Sequence, residues 1–523
     1  MVGACRREKY HKVLDDDKRF DTMELMSWRF RSCSLDQPFL VSPSLQDWLP
    51  ANHLAHFVAD VVEELDLSAI YADYERQDGR GQPAYHPVVL VRVLLYAYAK
   101  GITSSRRIEQ AIADDIGFRY LAANQLPDHD TIASFRRRHL TALGGLFVDV
   151  LRLCQKAGLV KLGNVAIDGT KILANASSAR NASYSQLEER EQYWLEVVDK
   201  LLGEAQRVDA EEDAQLGAES GHGLPAELAN ASQRLARIRQ AKQELRAEAQ
   251  QQLAAAEAEA QQVKESKPGK EANAEERSLH HQRRERSKKR LQRAQKNAAQ
   301  PGRTYNFVDP DSRLMHDNGL NSIVQSYNAQ VAVDDQAQVI VAAEITQQVT
   351  DRGQLLPMVE SVQGNTGALP AVITADAGYW NSVDLQDERL KGSQVLVPPD
   401  GARGRETLPA NAPRDATAVG MRERLQSDEG RALFRLRKTV VEPVLGQIKH
   451  ARGIRRFLLR GLDQVSAEWK LICAGHNLLK LFRRRRNGED QGGFPSDLRR
   501  PGRRSLRAPL FPALRPFFPA SLC

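Results

Sequence analysis

Two short apolar runs, each leading to an aspartate and with those aspartates 208 positions apart, constrain this chain more than any other feature. Residues 165–167 run into Asp168-Gly169, and residues 371–374 run into Asp376-Ala377-Gly378. Runs of this length closed by turn residues read as buried strands. Residues 185–300, between them, cannot belong to the same core. They are rich in Ala, Gln, Glu, Arg and Lys, and in QRLARIRQAKQELRAEAQQQLAAAEAEAQ only Leu235, Ile238, Leu245 and Leu253 are large and apolar. Such a stretch forms helix readily but lacks the apolar surface for a core of its own. A sheet that holds both aspartates must therefore be assembled from chain on either side of a helical, partly coiled-coil insertion.

The flanking segments divide accordingly. Residues 1–36 read as a flexible extension. Residues 37–160 read as a helical domain. A helix is expected to open at Pro43-Ser44 and to carry Leu54, Phe57, Val58, Val61, Val62 and Leu65 at helical spacing. HPVVLVRVLLYAYAKG is a second helix, started by His86-Pro87 and stopped by Gly101, and SSRRIEQAIADDIGFRYLA a third. A fourth, in PDHDTIASFRRRHL, is capped by Asp130 or Thr131 and turns Phe135 inward, with Arg136, Arg137 and Arg138 around it. Residues 161–482, less the insertion, read as α/β: a hairpin over 329–333 and 339–345 about Asp334-Asp335-Gln336, a helix, the strand before Asp376, one more strand, and then helices. Residues 483–523, which begin with four arginines and repeat Pro, Gly and Arg, read as a disordered basic tail.

Charge is unevenly spread. The chain nets +7, yet from Lys449 onward it holds seventeen Lys/Arg against five Asp/Glu. A basic balance of this kind favours a polyanionic partner. The five cysteines are scattered and show no CxxC spacing, which speaks against a disulfide framework or a zinc site and fits a reducing cytosol. The charged N-terminus has no signal-peptide pattern, and no run approaches the roughly 18 apolar residues of a spanning helix. The expected location is cytoplasmic, with no membrane partner.

In this order the acidic residues suggest chemistry. One strand bears Asp168, a second ends at Asp376, and a later helix bears Glu442. Sites gather at strand C-terminal ends in α/β sheets. Two or three carboxylates bind Mg²⁺ while leaving positions for water and phosphate, and paired ions can activate a hydroxyl and stabilise a leaving oxygen. Taken singly, Asp-Gly after a strand is ordinary turn chemistry. Pro443 biases Glu442 away from helical geometry, so a helix is expected to begin or kink there.

The chain resembles bacterial insertion-sequence transposases of the DDE type, the IS1182 group within the IS5/IS4-like families, over roughly residues 37–482. The resemblance rests on YHPVVLVRVLLYAYAKG and PDHDTIASFRRRH in the helical domain. In the core it rests on VAIDGTKILANAS, VDPDSRLM, YNAQVAVD, ITADAGYW and RKTVVEPVLGQIKHARGIRRFLLRG. It implies an α/β RNase H-like catalytic core and binding of terminal inverted repeats and target DNA. It also implies cleavage and strand transfer with two Mg²⁺ (or Mn²⁺) ions on Asp168, Asp376 and Glu442, by a homodimer or larger assembly. Glu442 and Lys449 are seven apart, about two helical turns, and are expected to share a face. Lys449, Arg437, Lys438, Arg455, Arg456, Arg460, Arg136 and Arg137 are the expected phosphate contacts. The family's aromatic position upstream holds Phe434 rather than Tyr. Asp334 and Asp335 read as turn residues, Asp351 as a helix cap, and His129 and His476 as structural. An inactive DNA-binding derivative, or a nuclease acting on hybrids or branched DNA, are the other readings.

Overall fold

The two strands expected to lead to the aspartates lie side by side. A computed structural model describes residues 44–75, 84–216, 226–266, 274–317, 319–399 and 416–486. In it β1 (Asn164–Leu173) and β7 (Val372–Ala375) run parallel, with Ile167 opposite Ala375. The other strands are β2 (Asn181–Ala182), β3 (Tyr305–Asn306), β4 (Arg313–Asp317), β5 (Ser322–Asp334), β6 (Val339–Thr346) and β8 (Gln394–Leu396). The main sheet has six strands in the order β4-β5-β1-β7-β8, and β6 shares the outer edge of β5 with β4. β5 runs antiparallel to β1, and β8 is parallel to β7. The expected hairpin is present, with β5 much longer than its apolar run. Asp334 takes up the expected turn role, accepting from Gln336 N, and it also holds the approach to β1 through Leu162 N at 2.7 Å.

Among the described residues, seven helices precede β1: α1 (Leu54–Glu63), α2 (Ser68–Glu75), α3 (Pro87–Ala99), α4 (Ser105–Asp114), α5 (Ile116–Leu121), α6 (His129–Arg138) and α7 (Leu140–Lys156). Four details differ from expectation. The first helix opens at Leu54 on a His53 cap, because residues 44–52 form turns. α2 lies in a stretch that gave no helix signal. The expected third helix breaks in two at Asp115, whose carboxylate leaves α4 and caps α5 through Gly117 N and Phe118 N. Asp128, not Asp130 or Thr131, caps α6, since its side chain receives Thr131 N. α3 starts on Pro87 and stops before Gly101 (φ +78°), as expected. A Cβ at Gly101 would also stand 2.2 Å from Arg452 O, so close approach adds to the demand for glycine there.

After β7 come α12 (Ala416–Gln426), α13 (Asp428–Gly446) and α14 (Leu462–Arg486), and α11 (Leu355–Thr366) precedes it. α14 packs on α7, α3 and β6, so one continuous apolar core joins the helical region to the sheet. Trp469 of α14 is fully buried and donates to Gln330 O in β5. Arg483–Arg486 continue α14 instead of starting a tail, and Arg485 pairs with Asp60 at 2.9 Å. The remainder of the expected tail and the extension 1–36 lie outside the described residues.

The insertion is three helices: α8 (Tyr184–Leu216), α9 (Ala226–Glu265) and α10 (Ala274–Ala299). It is not wholly without a core. Tyr184, Leu187, Ile238, Ala241, Leu245 and Tyr305 form a small cluster of their own at its root.

Candidate functional site

Because Ile167 and Ala375 are register partners, the next residues, Asp168 and Asp376, stand at the same level on neighbouring strands. Asp168 stays within the long strand β1, where side chains alternate between faces. Its face, shared with Thr170, meets the helix that follows α12. Arg437 of α13, 8% exposed, donates to Asp168 Oδ2 at 3.1 Å, and Lys449 donates from Nζ to Thr170 Oγ1 and Lys171 O, both at 3.0 Å. Asp376 caps a single 3-10 turn through Gly378 N. Burial pushes the Asp168 carboxyl up to about 6. Arg437 opposes that shift, and repulsion from Asp376 and Asp351 adds to it.

The opposite face of β1 carries Gly169 and Lys171, whose cross-strand partners on β5 are Gln330 and Asn328. All four surround Asp351. Asn328 Nδ2 and Gln330 Nε2 each donate to Asp351 Oδ1 at 2.7 Å, and Lys171 Nζ lies 3.7 Å from the same oxygen. A Cβ on Gly169 would fall 2.5 Å from it, so glycine is what admits this carboxylate beside β1. Tyr379, fully buried, bonds Gln330 through its hydroxyl. The expectation that Asp351 caps a helix is thereby corrected. Gln354 occupies the N-cap of α11, and the Asp351 side chain turns to the strand ends instead. The sequence signal for this was the polar pair Asn328 and Gln330, which alternate with the apolar residues Tyr327, Ala329 and Val331 and so share one face of the strand. Buried amides require partners, and Asp351 is theirs.

Glu442 does not join the aspartates. It is exposed on α13, whose buried face is made by Arg437, Val440, Val441 and Val444. Pro443 does not start the helix but lies inside it. The carbonyl it leaves unpaired, Thr439 O, receives Gln338 Nε2 at 2.9 Å. Gln447–Ala451 then form a π-helical turn. Lys449, within this turn, bonds β1 whereas Glu442 is exposed, so the seven-residue spacing does not give the two a common partner.

The other expected phosphate contacts fall into two groups. Lys438, Arg455, Arg456, Arg460 and Arg137 are exposed. Arg455 and Arg456 lie where the chain runs beside the end of β1, with Leu173 N donating to Arg455 O and Phe457 N to Leu173 O. The buried Glu468 carboxylate accepts Leu458 N and Leu459 N and holds this segment in place. Arg136 is the correction. It is buried and bonds Tyr98 Oη and Thr103 O, fastening α6 to α3 rather than facing solvent. His476 is buried against Gln338 O, and His129 pairs with Glu109, as structural residues would.

Carboxylate oxygens suit a hard divalent cation, and the buried Asn328 Oδ1 is an acceptor with no hydrogen-bond partner. Among the described residues, however, no three Asp, Glu, His or Cys side chains converge on one point. Asp168 and Asp351 sit on opposite faces of β1, and Glu442 points away. Asp168 and Asp376, at the paired strands, are the carboxylates that would hold a cation there.

Among the described residues no helix is long and apolar enough to cross a membrane. No curated protein and no solved structure matches the chain. Two family models do. "Transposase domain (DUF772)" matches residues 43–138, the region of α1 to α6, and "Transposase DDE domain" matches residues 403–482, which includes α12 to most of α14. The two lie on either side of the sheet in sequence, and both are models of transposase domains.

Proposed function

We propose that this chain cleaves DNA at the terminal inverted repeats of an insertion sequence of the IS1182 group and joins the ends to target DNA, using an RNase H-like core as a homodimer or larger assembly. The observation that carries the reading is that Asp168, within β1, and Asp376, directly after β7, stand at one level on adjacent parallel strands. The strand order supports it as well: a three-stranded antiparallel half, β6-β5-β1, continued by parallel β7 and β8. The helices matched by the first transposase model would bind the element's ends. The family matches do not favour the reading as an inactive derivative.

In this proposal Asp168 and Asp376 hold divalent cations, Mg²⁺ or Mn²⁺, which when bound would activate the attacking oxygen and stabilise the leaving one. Arg437 is the counter-charge of Asp168 in their absence, and it is free to turn to phosphate once that charge is met otherwise. Lys449, fixed on β1 beyond Asp168, takes a phosphate near the reacting bond. Arg455, Arg456, Arg460 and Lys438 extend the positive track along the backbone, positioning DNA without reading its sequence.

Glu442 is the third donor implied by family resemblance. Asp351 is the alternative, favoured by its place beside the strand ends. The test is cleavage by purified protein of DNA carrying the element's ends with Mg²⁺ or Mn²⁺. Asp168→Asn and Asp376→Asn should each abolish it while end binding persists, and full cleavage by either variant would sink the assignment. Glu442→Gln and Asp351→Asn, compared in the same assay and by calorimetric titration with Mn²⁺, separate the two candidate third donors.

A further inference from the structure

We infer that the α9–α10 hairpin is an arm that grips the DNA backbone through the outward face of α10. The inference rests on DNA being the partner proposed above. Residues 282–296 hold eight basic residues against one acidic, and all eight are exposed. Among the described residues only one of them, Arg290, has an ion-pair partner, Glu259. The charge does not belong to the insertion at large, for α8 carries ten acidic residues and three basic ones. Helical geometry sorts the basic set further. Ser287 and Ala294 are buried on the seam with α9, whereas Arg286, Lys289, Arg293 and Lys296, spaced by three and four, form one row directed away from it. Like charges at this spacing repel one another weakly, and an outside anion relieves that repulsion.

The arm is also rooted where DNA would lie. It runs from Glu248 to the end of α9, about 25 Å at 1.5 Å per residue. α10 is laced back along it by Asn297–Gln252 at 2.9 Å and by His280 on Val263 O at 2.9 Å. At the root Glu248 pairs with Arg303 and, at 3.5 Å, with Arg313. Arg313 bonds Gln347 at 2.9 Å, and the next residue, Gln348, accepts from Asn328, which holds Asp351. The root of the arm is thus joined through Arg313 at the start of β4 and through Gln347-Gln348 to Asn328 of β5, which holds Asp351. DNA lying on the carboxylate site is within reach of a rigid rod 25 Å long, roughly the length of seven base pairs.

The experiment uses the full chain and a random-sequence duplex, since backbone contacts are indifferent to sequence. Fluorescence anisotropy across salt concentrations compares wild type with a variant carrying Arg286→Gln, Lys289→Gln, Arg293→Gln and Lys296→Gln. Glutamine keeps helix propensity, and circular dichroism checks that helix content is retained. The expected result is binding weakened at least about tenfold near 100 mM salt, with the slope of log K against log salt reduced by about 3 to 4. A second variant that swaps Arg for Lys and Lys for Arg at the four positions should bind as wild type does. An unchanged slope in the neutralised variant overturns the arm while leaving the transposase reading intact. So does loss of self-association in analytical ultracentrifugation without loss of DNA affinity, which would assign the row to the acidic α8 of a second copy. Wild type that binds no duplex even at low salt removes both readings.

Discussion

The carboxylate end of the sheet and the α9–α10 arm are both crowded with charge, but the charge is held in opposite ways. At the sheet, Asp168, Asp351, Arg437 and Lys171 are largely removed from water and answer one another over 2.7 to 3.7 Å together with Asn328 and Gln330. In the arm, eight basic side chains point outward with a single ion pair among them. Buried charge is costly and persists only where geometry compensates it. Exposed charge is almost free. The first arrangement therefore marks a place where chemistry needs charge at fixed positions, and the second a surface where only the sum of charge matters.

The largest effects should come from the site. Asp168→Asn or Asp376→Asn is expected to lower end cleavage by more than about 10³-fold with end binding retained, and a loss confined to binding would break the contrast. Next is the pH dependence of stability in metal-free protein. The folded Asp168 carboxyl titrates at about 6, above its ordinary 3.8, so the group's contribution is complete below pH 3.8 and is lost as pH rises through 6. Asp168→Asn should remove about 2 to 3 kcal/mol of that slope in urea melts between pH 4 and 7, and an unchanged slope would show Asp168 to be well solvated. Gly169→Ala follows. Its methyl would collide with Asp351, Gln330 and Asn328, with an expected cost of about 1 to 3 kcal/mol in thermal unfolding. Full stability would mean the Asp351 cluster is loose. The smallest effect belongs to the arm. Ser287 Oγ is buried without a partner, so Ser287→Ala should leave stability unchanged or raise it by up to about 1 kcal/mol. A marked loss would reveal a polar contact at the seam.

At Asp376 the local cues, an apolar run and a turn-forming close, match the end of β7, but at Asp168 the expected turn is absent, because β1 runs on through Gly169 to Leu173 paired with β5. The extent of the insertion was also legible locally, since Tyr184–Ala299 nearly coincides with the compositional block at 185–300. Asp351 was misread, because its local context is that of a cap and its partners, Asn328 and Gln330, come from a strand more than twenty residues earlier. Arg136 and Arg137 are neighbours in one basic run, yet only the packing of α6 on α3 decides which of them is buried.

Composition and periodicity by themselves determined that this chain is helical at both ends, that it holds a split α/β sheet, and that two aspartates follow buried strand residues. Those properties depend on backbone preference and burial within a few residues. Tertiary structure alone decided the faces. β1 presents Asp168 to α13 and Gly169 to Asp351, and the π-turn at Gln447–Ala451 lets Lys449 reach β1 while Glu442 faces solvent. The face a side chain occupies depends on helical phase and strand register, and a single added residue in a turn resets both.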